Sequence, residues 1–102
     1  MEKSILKNAL ADELVQAFLH LETPEECYRV LEDLCTVREV RDLSQRLAVA
    51  RMLRSGITYT EIVERTGAST ATIGRVNRAL NYGTGGYEEI LNKLYGKENE
   101  HD

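Results

Sequence analysis

The sequence has no tryptophan, one phenylalanine and one proline in 102 residues. With Leu, Ala, Glu and Arg abundant and little to interrupt a helix, this composition predicts an all-α protein. Cysteine is scarce too: Cys27 and Cys35 only. On one helix they would lie about 12 Å apart along the axis, too far for a disulfide. They read as two buried apolar thiols in a reducing cytoplasm. The histidines, His20 and His101, stand apart from each other and from the cysteines, so no metal-ligand spacing arises. No apolar run is long enough to span a membrane, and no charged-then-apolar segment with a cleavage site opens the chain. The expected location is cytoplasmic, with no membrane partner. Apolar residues at 42% and charged residues at 29% describe a chain that folds and stays soluble. Its length suits one domain, residues 1–95, followed by a polar tail over 96–102 that is expected to fray. A helical chain this small has a modest core, so further burial in a dimer is expected.

Charge is unevenly placed. The formal net charge of −4 argues at first against a polyanionic partner. Residues 1–35 carry 3 basic and 8 acidic side chains, and residues 83–102 carry 2 and 5. Residues 36–82 carry 8 basic and 4 acidic ones, and lysine is absent there: every positive charge is an arginine. Local sign governs binding to a polyanion more than the total does.

Periodicity and capping signals divide the chain into about six helices. Leu6, Ala9, Leu10, Leu14, Ala17, Phe18 and Leu21 repeat with helical spacing over residues 2–21. "TPEE" then offers Thr23 as cap, Pro24 at the first helical position and Glu26 to complete a capping box. The helix it opens should bury Cys27, Val30, Leu31 and Leu34, with Tyr28 beside them. "TVRE" at 36–39 opens a third helix to about Arg54. Val40, Leu43, Leu47, Ala50 and Leu53 form its apolar face, and Arg38, Arg41, Arg46, Arg51 and Arg54 its charged face. Gly56 suits a left-handed C-cap. "TYTE" at 58–61 opens a short helix over about 59–66. Gly67 follows, and Ser69 caps a helix over about 70–81. The pair, about 58–81, forms a helix-turn-helix. After a break at Gly83, Gly85 and Gly86, a last helix over about 87–95 should bury Tyr87, Ile90, Leu91 and Leu94.

The stretch "TGASTATIGRV" at 66–76 carries the functional reading. On a helical wheel Ile73, Val76 and Leu80 turn inward. Ala71, Gly74, Arg75 and Arg78 face outward, flanked by Thr70 and Thr72. An exposed Gly74 costs about 1 kcal/mol against alanine in a free helix, which makes sense if another surface must approach closely. A DNA major groove is such a surface. Small methyl-bearing residues meet thymine methyls, hydroxyls bond base edges, and arginine forks to guanine. The amides behind Ser69 can face a phosphate. Thr58, Tyr59 and Thr60, at the start of the preceding helix, would cross the backbone. The competing structural reading is a tight helix–helix turn whose small residues merely allow close packing; the arginine-rich central block favours double-stranded DNA.

Catalysis finds little support. No Ser/His/Asp set exists, and Glu25–Glu26 and Glu88–Glu89 each follow a helix start, where carboxylates favour the helix dipole. "GTGG" at 83–86 lacks the preceding strand and following Lys-Ser/Thr of a phosphate-binding loop.

From about Leu31 to Leu94 the sequence resembles the Trp repressor family, and within it the small Trp-repressor-like proteins of bacteria. The resemblance rests on "SQRLAVARMLRSGITYTEIVERTGASTATIGRVNRAL", above all Gly67–Ala68, "ATI" at 71–73 and Arg75. It implies an all-α fold of about six helices and an intertwined homodimer whose terminal helices interlock. It also implies a helix-turn-helix that offers residues 70–80 to operator DNA. Thr70, Ala71 and Thr72 then match recognition contacts, with Thr58 to Thr60 near phosphates. The family's effector site, by the same resemblance, maps to Thr36, Arg46 and Arg75. Two positions depart from it: Ala79 stands where a serine is expected, and Val76 where a glycine lies beside the ligand. These departures point away from tryptophan as effector. A different small-molecule corepressor, or none, fits better, and no other cofactor is implied. Arg46 and Arg75 can alternatively serve phosphates or internal pairs. The register of "PEECYRVLEDLC" against the family is loose, which leaves open which helix crosses to a partner. The alternative function is a helical protein-interaction adaptor whose acidic first two helices dock a partner and whose helix-turn-helix is vestigial.

Overall fold

Asn8, not the first apolar residue, starts the first helix. Its side chain accepts from the Ala11 amide at 2.8 Å, so α1 runs over Ala9–Leu19. The helical period that begins at Leu6 is broken by this local bond, because asparagine competes for backbone donors and favours a cap. The computed structural model describes residues 4–97. His101 and most of the polar tail lie outside the described residues.

Five further helices follow: α2 Pro24–Leu34, α3 Val37–Arg54, α4 Tyr59–Thr66, α5 Thr70–Tyr82 and α6 Gly86–Tyr95. There is no strand among the described residues. The capping residues explain these boundaries. Thr23 Oγ1 accepts from the Glu26 amide at 3.1 Å, and Glu26 Oε1 reaches back to the Glu22 amide at 2.8 Å. Thr58 Oγ1 accepts from the Glu61 amide at 3.2 Å. The Glu61 carboxylate does not complete the box; it pairs with Arg65 one turn on, a competing partner on the same exposed face. Gly56 and Gly67 follow α3 and α4 with φ of 83° and 74°, a left-handed conformation that side-chain-bearing residues adopt at a cost of about 1–2 kcal/mol.

The chain divides into two compact units, Met1–Val37 and Arg38–Asp102. In the first, neither α1 nor α2 has a buried residue. Leu10 is 80% exposed, and Leu14, Val15, Phe18 and Leu19 are also open to solvent. The expected core of α2 is correspondingly thin. Cys27, Val30 and Leu31 are half-buried, while Leu34 and Tyr28 are exposed. Both thiols are free, and Cys35 is half-buried as well.

The second unit holds the core: Val49, Ala50, Met52, Ile62, Ala68, Ile73, Val76 and Leu91. Leu47, Leu53, Ile57, Val63 and Tyr87 pack around it. The burial of α3 differs from the expected face. Val49 and Met52 are inside and Leu43 is exposed, because this helix is apolar on more than one side and the contacts with the later helices select which side is covered. In α6 only Leu91 is fully buried; Tyr87 is partly covered, and Ile90 and Leu94 stay open.

Two arginines expected on a solvent face of α3 instead hold α6. Arg54 Nη1 donates to Asn92 Oδ1 at 2.7 Å and lies 3.5 Å from Glu88 Oε2. Its Nη2 donates to the Gly96 carbonyl at 3.1 Å, and the side chain is only 9% exposed. Arg51 stands 5.9 Å from the centre of the Tyr95 ring, within cation–π range.

Candidate nucleic-acid interface

The α4–α5 pair is built from local signals that agree with one another. Thr58 caps α4, Gly67 ends it, and the Gly67 amide donates to the Val63 carbonyl. Thr66 Oγ1 donates to Ile62 O at 2.7 Å and accepts from the Ala68 amide at 3.1 Å, which fastens the turn. Ser69 Oγ then accepts from the Thr72 amide at 3.1 Å and caps α5. Ala68, Ile73 and Val76 are buried on the inner side. A further strut comes from α3, where Gln45 Nε2 donates to Thr66 O at 3.1 Å. Periodicity did not single out Gln45; nothing in its sequence context distinguishes it from an ordinary surface glutamine.

The outer side of α5 is open. Ser69, Thr70, Ala71, Arg75 and Arg78 are exposed, and Thr72 and Gly74 are half-exposed. A Cβ added to Gly74 would meet no atom within 4 Å. Ser69 Oγ donates to Thr72 Oγ1 at 3.1 Å, and Arg75 Nη2 lies 3.5 Å from the same oxygen. Ser69, Thr72 and Arg75 therefore line one polar ridge, with the Thr72 hydroxyl proton left to donate to an outside acceptor. Thr58, Tyr59 and Thr60 are exposed at the start of α4. Hydroxyls, methyls, an open glycine and two guanidinium groups on one exposed helix can hydrogen-bond base edges and pair with phosphates.

The residues matched to an effector site are distributed differently. Arg46 lines an apolar cavity of about 440 Å³ together with Leu43, Leu47, Ala79, Gly83, Tyr87 and neighbouring residues. Arg75 does not line it. Val76 is 2% exposed and belongs to the core. Thr36 lies in the first unit, immediately before α3, and is exposed. Among the described residues no group of His, Cys, Asp and Glu is arranged to hold a metal ion. No described helix is long and apolar enough to cross a membrane.

Among the described residues, six helices with a Gly-turned pair near the centre define an all-α helix-turn-helix protein. The profile of the family described as Trp repressor protein matches residues 9–95. The chain belongs to the Trp repressor family. It is 50% identical over 100 residues to the uncharacterized protein YerC of Bacillus subtilis (strain 168), covering 98% of this chain and 96% of that one. It is also similar to the crystal structure of a candidate Trp repressor from Staphylococcus aureus, with 52% identity and a TM-score of 0.84 over 87% of this chain and 89% of that one. A TrpR-like protein from Eubacterium eligens ATCC 27750 matches with 52% identity and a TM-score of 0.85, over 87% of this chain and 92% of its own.

Proposed function

We propose that this protein is a sequence-specific DNA-binding transcriptional regulator. It acts as a homodimer that reads a near-palindromic operator through α5. The observation that carries this reading is the outer face of α5. It is exposed from Ser69 to Arg78, rich in hydroxyls and arginine, and open at Gly74. Membership of the Trp repressor family supports the same reading. Thr70, Ala71, Thr72, Gly74, Arg75 and Arg78 approach base edges. Ser69 and the first turn of α5, with Thr58, Tyr59 and Thr60, meet phosphates.

The uncovered apolar face of α1 supports a second copy as partner, since exposed apolar area of this kind is stabilised by burial against another chain. Tryptophan is not the expected effector. Val76 fills the core where the family resemblance places a glycine, and Ala79 offers no hydrogen bond.

The deciding experiment is selection of bound duplexes from a random library, followed by titration against salt. The expected product is a pair of half-sites about 34 Å apart, centre to centre. Affinity should fall steeply as salt rises, as several phosphate contacts require. Failure to bind any duplex at about 50 mM salt, a condition that favours phosphate contacts, would leave the adaptor reading in its place.

A further inference from the structure

The α3 face that enters the core continues beyond it. At the helical angle per residue, Arg38, Arg41, Gln45, Val49 and Met52 fall within one stripe roughly 80° wide. Val49 and Met52 are buried. Gln45, next along, bonds the carbonyl of Thr66, the last residue of α4 before the Gly67 turn. Arg41 and Arg38 follow, about 6 and 10 Å further along the axis. Beyond Gln45, which meets the last residue of α4, the same stripe of α3 carries two arginines.

Both side chains are exposed. Among the described residues neither makes an ion pair or a side-chain hydrogen bond. Asp42 lies one turn from Arg38 without pairing with it. The other arginines of the central block are placed differently. Arg51 and Arg54 hold α6, Arg65 pairs with Glu61, and Arg46 lines the apolar cavity. Only Arg75 and Arg78 lie on the outer face of α5, a small positive charge for a chain of net −4 that is to hold a polyanion. Like charges three residues apart on an exposed helix repel each other, and although Glu39 and Asp42 lie beside them in sequence, an outside anion held between the two guanidinium groups would relieve that repulsion.

We propose that Arg38 and Arg41 form an accessory clamp on the sugar-phosphate backbone of duplex DNA, flanking the segment read by α5. The proposal rests on the DNA-binding reading and adds a contact outside the helix-turn-helix. Guanidinium forks match phosphate oxygens and carry no base preference. The clamp therefore sets affinity and salt dependence, and α5 sets sequence.

The test uses the full chain with Arg38→Gln and Arg41→Gln together, and the doubly Lys-substituted form beside it. Duplex affinity is measured from about 50 to 300 mM salt, a range in which phosphate contacts dominate the change. Sedimentation of each variant is recorded alongside. The slope of log affinity against log salt should fall by about 0.9 for each arginine lost. Affinity at about 0.1 M salt should drop about tenfold or more. Ranking among duplex sequences and the sedimentation behaviour should not change, and the lysine form should recover most of the binding. If the wild type binds duplex and the Gln form keeps its slope, the clamp is wrong while the reading by α5 stands. Loss of binding together with dissociation of the oligomer would assign the arginines to acidic residues of a second copy and overturn the proposal. A wild type that binds no duplex removes the DNA reading, and the clamp falls with it.

Discussion

Gly74 and Gly83 sit on the same helix and its end, and the chain treats them in opposite ways. At Gly74 a methyl group would touch nothing within 4 Å. Gly74→Ala should therefore raise stability by up to about 1 kcal/mol through helix propensity, and weaken duplex binding because the backbone can no longer approach as closely. Urea unfolding and fluorescence anisotropy measure the two effects; a variant that is stabilised and binds as tightly as the wild type removes the close-approach argument. At Gly83 an added Cβ would lie 2.3 Å from the Ala79 carbonyl oxygen. Gly83→Ala should lower stability by about 1–3 kcal/mol, read from the urea midpoint. The outward set of Ala71, Gly74, Arg75 and Arg78 was legible from periodicity alone, because one side of α5 is plainly apolar. The requirement at Gly83 was not, since it depends on how the backbone passes Ala79. Thr72→Ala with Arg78→Ala should weaken operator binding while leaving the fold intact, which circular dichroism and anisotropy check together.

Helices α4 and α5 owe their boundaries to single hydroxyls, so these are sensitive points. Ser69→Ala removes the cap that meets the Thr72 amide and should cost about 1 kcal/mol, with faster amide exchange confined to the first turn of α5. Arg54→Met removes the contacts with Glu88 and Asn92 of α6 and with the Gly96 carbonyl just past its end. It should accelerate exchange throughout α6 and lower stability by about 1.5–3 kcal/mol. Unchanged exchange in α6 would show that Leu91, Tyr87 and the Arg51–Tyr95 contact hold that helix without Arg54. Capping residues were read correctly from sequence at Thr23, Thr58 and Ser69, since each is a short-range signal. Asn8 was missed because an apolar period ran through it. The faces of α3 resisted reading for a different reason. With Leu47, Val49, Ala50, Met52 and Leu53 in close succession, periodicity names several candidate faces, and only tertiary contacts choose. The same contacts draw Arg51 and Arg54 toward α6, although charge alone placed them in solvent.

At the scale of the molecule, α1 has apolar residues in helical register yet nothing buried. A homodimer would supply the missing cover. Leu10→Asp with Leu14→Asp should then shift the sedimenting species from dimer to monomer. It should also remove the concentration dependence of the melting temperature expected of an assembling chain. A wild type that is monomeric at all concentrations would count against the pairing. The family and the all-helical architecture were legible over most of the chain. The extent of the interior was not, because apolar residues that pair between chains carry the same period as those that pack within one.

Among the described residues, the eight buried ones fall between Val49 and Leu91. The second unit therefore has an interior that α3, α4, α5 and α6 build together around the helix-turn-helix. If copies of this chain pair through α1, substitutions there would alter which copies recognise each other while leaving the core beneath α5 intact. Two regulators derived from one ancestor could diverge in partner choice while continuing to select the same nucleotides.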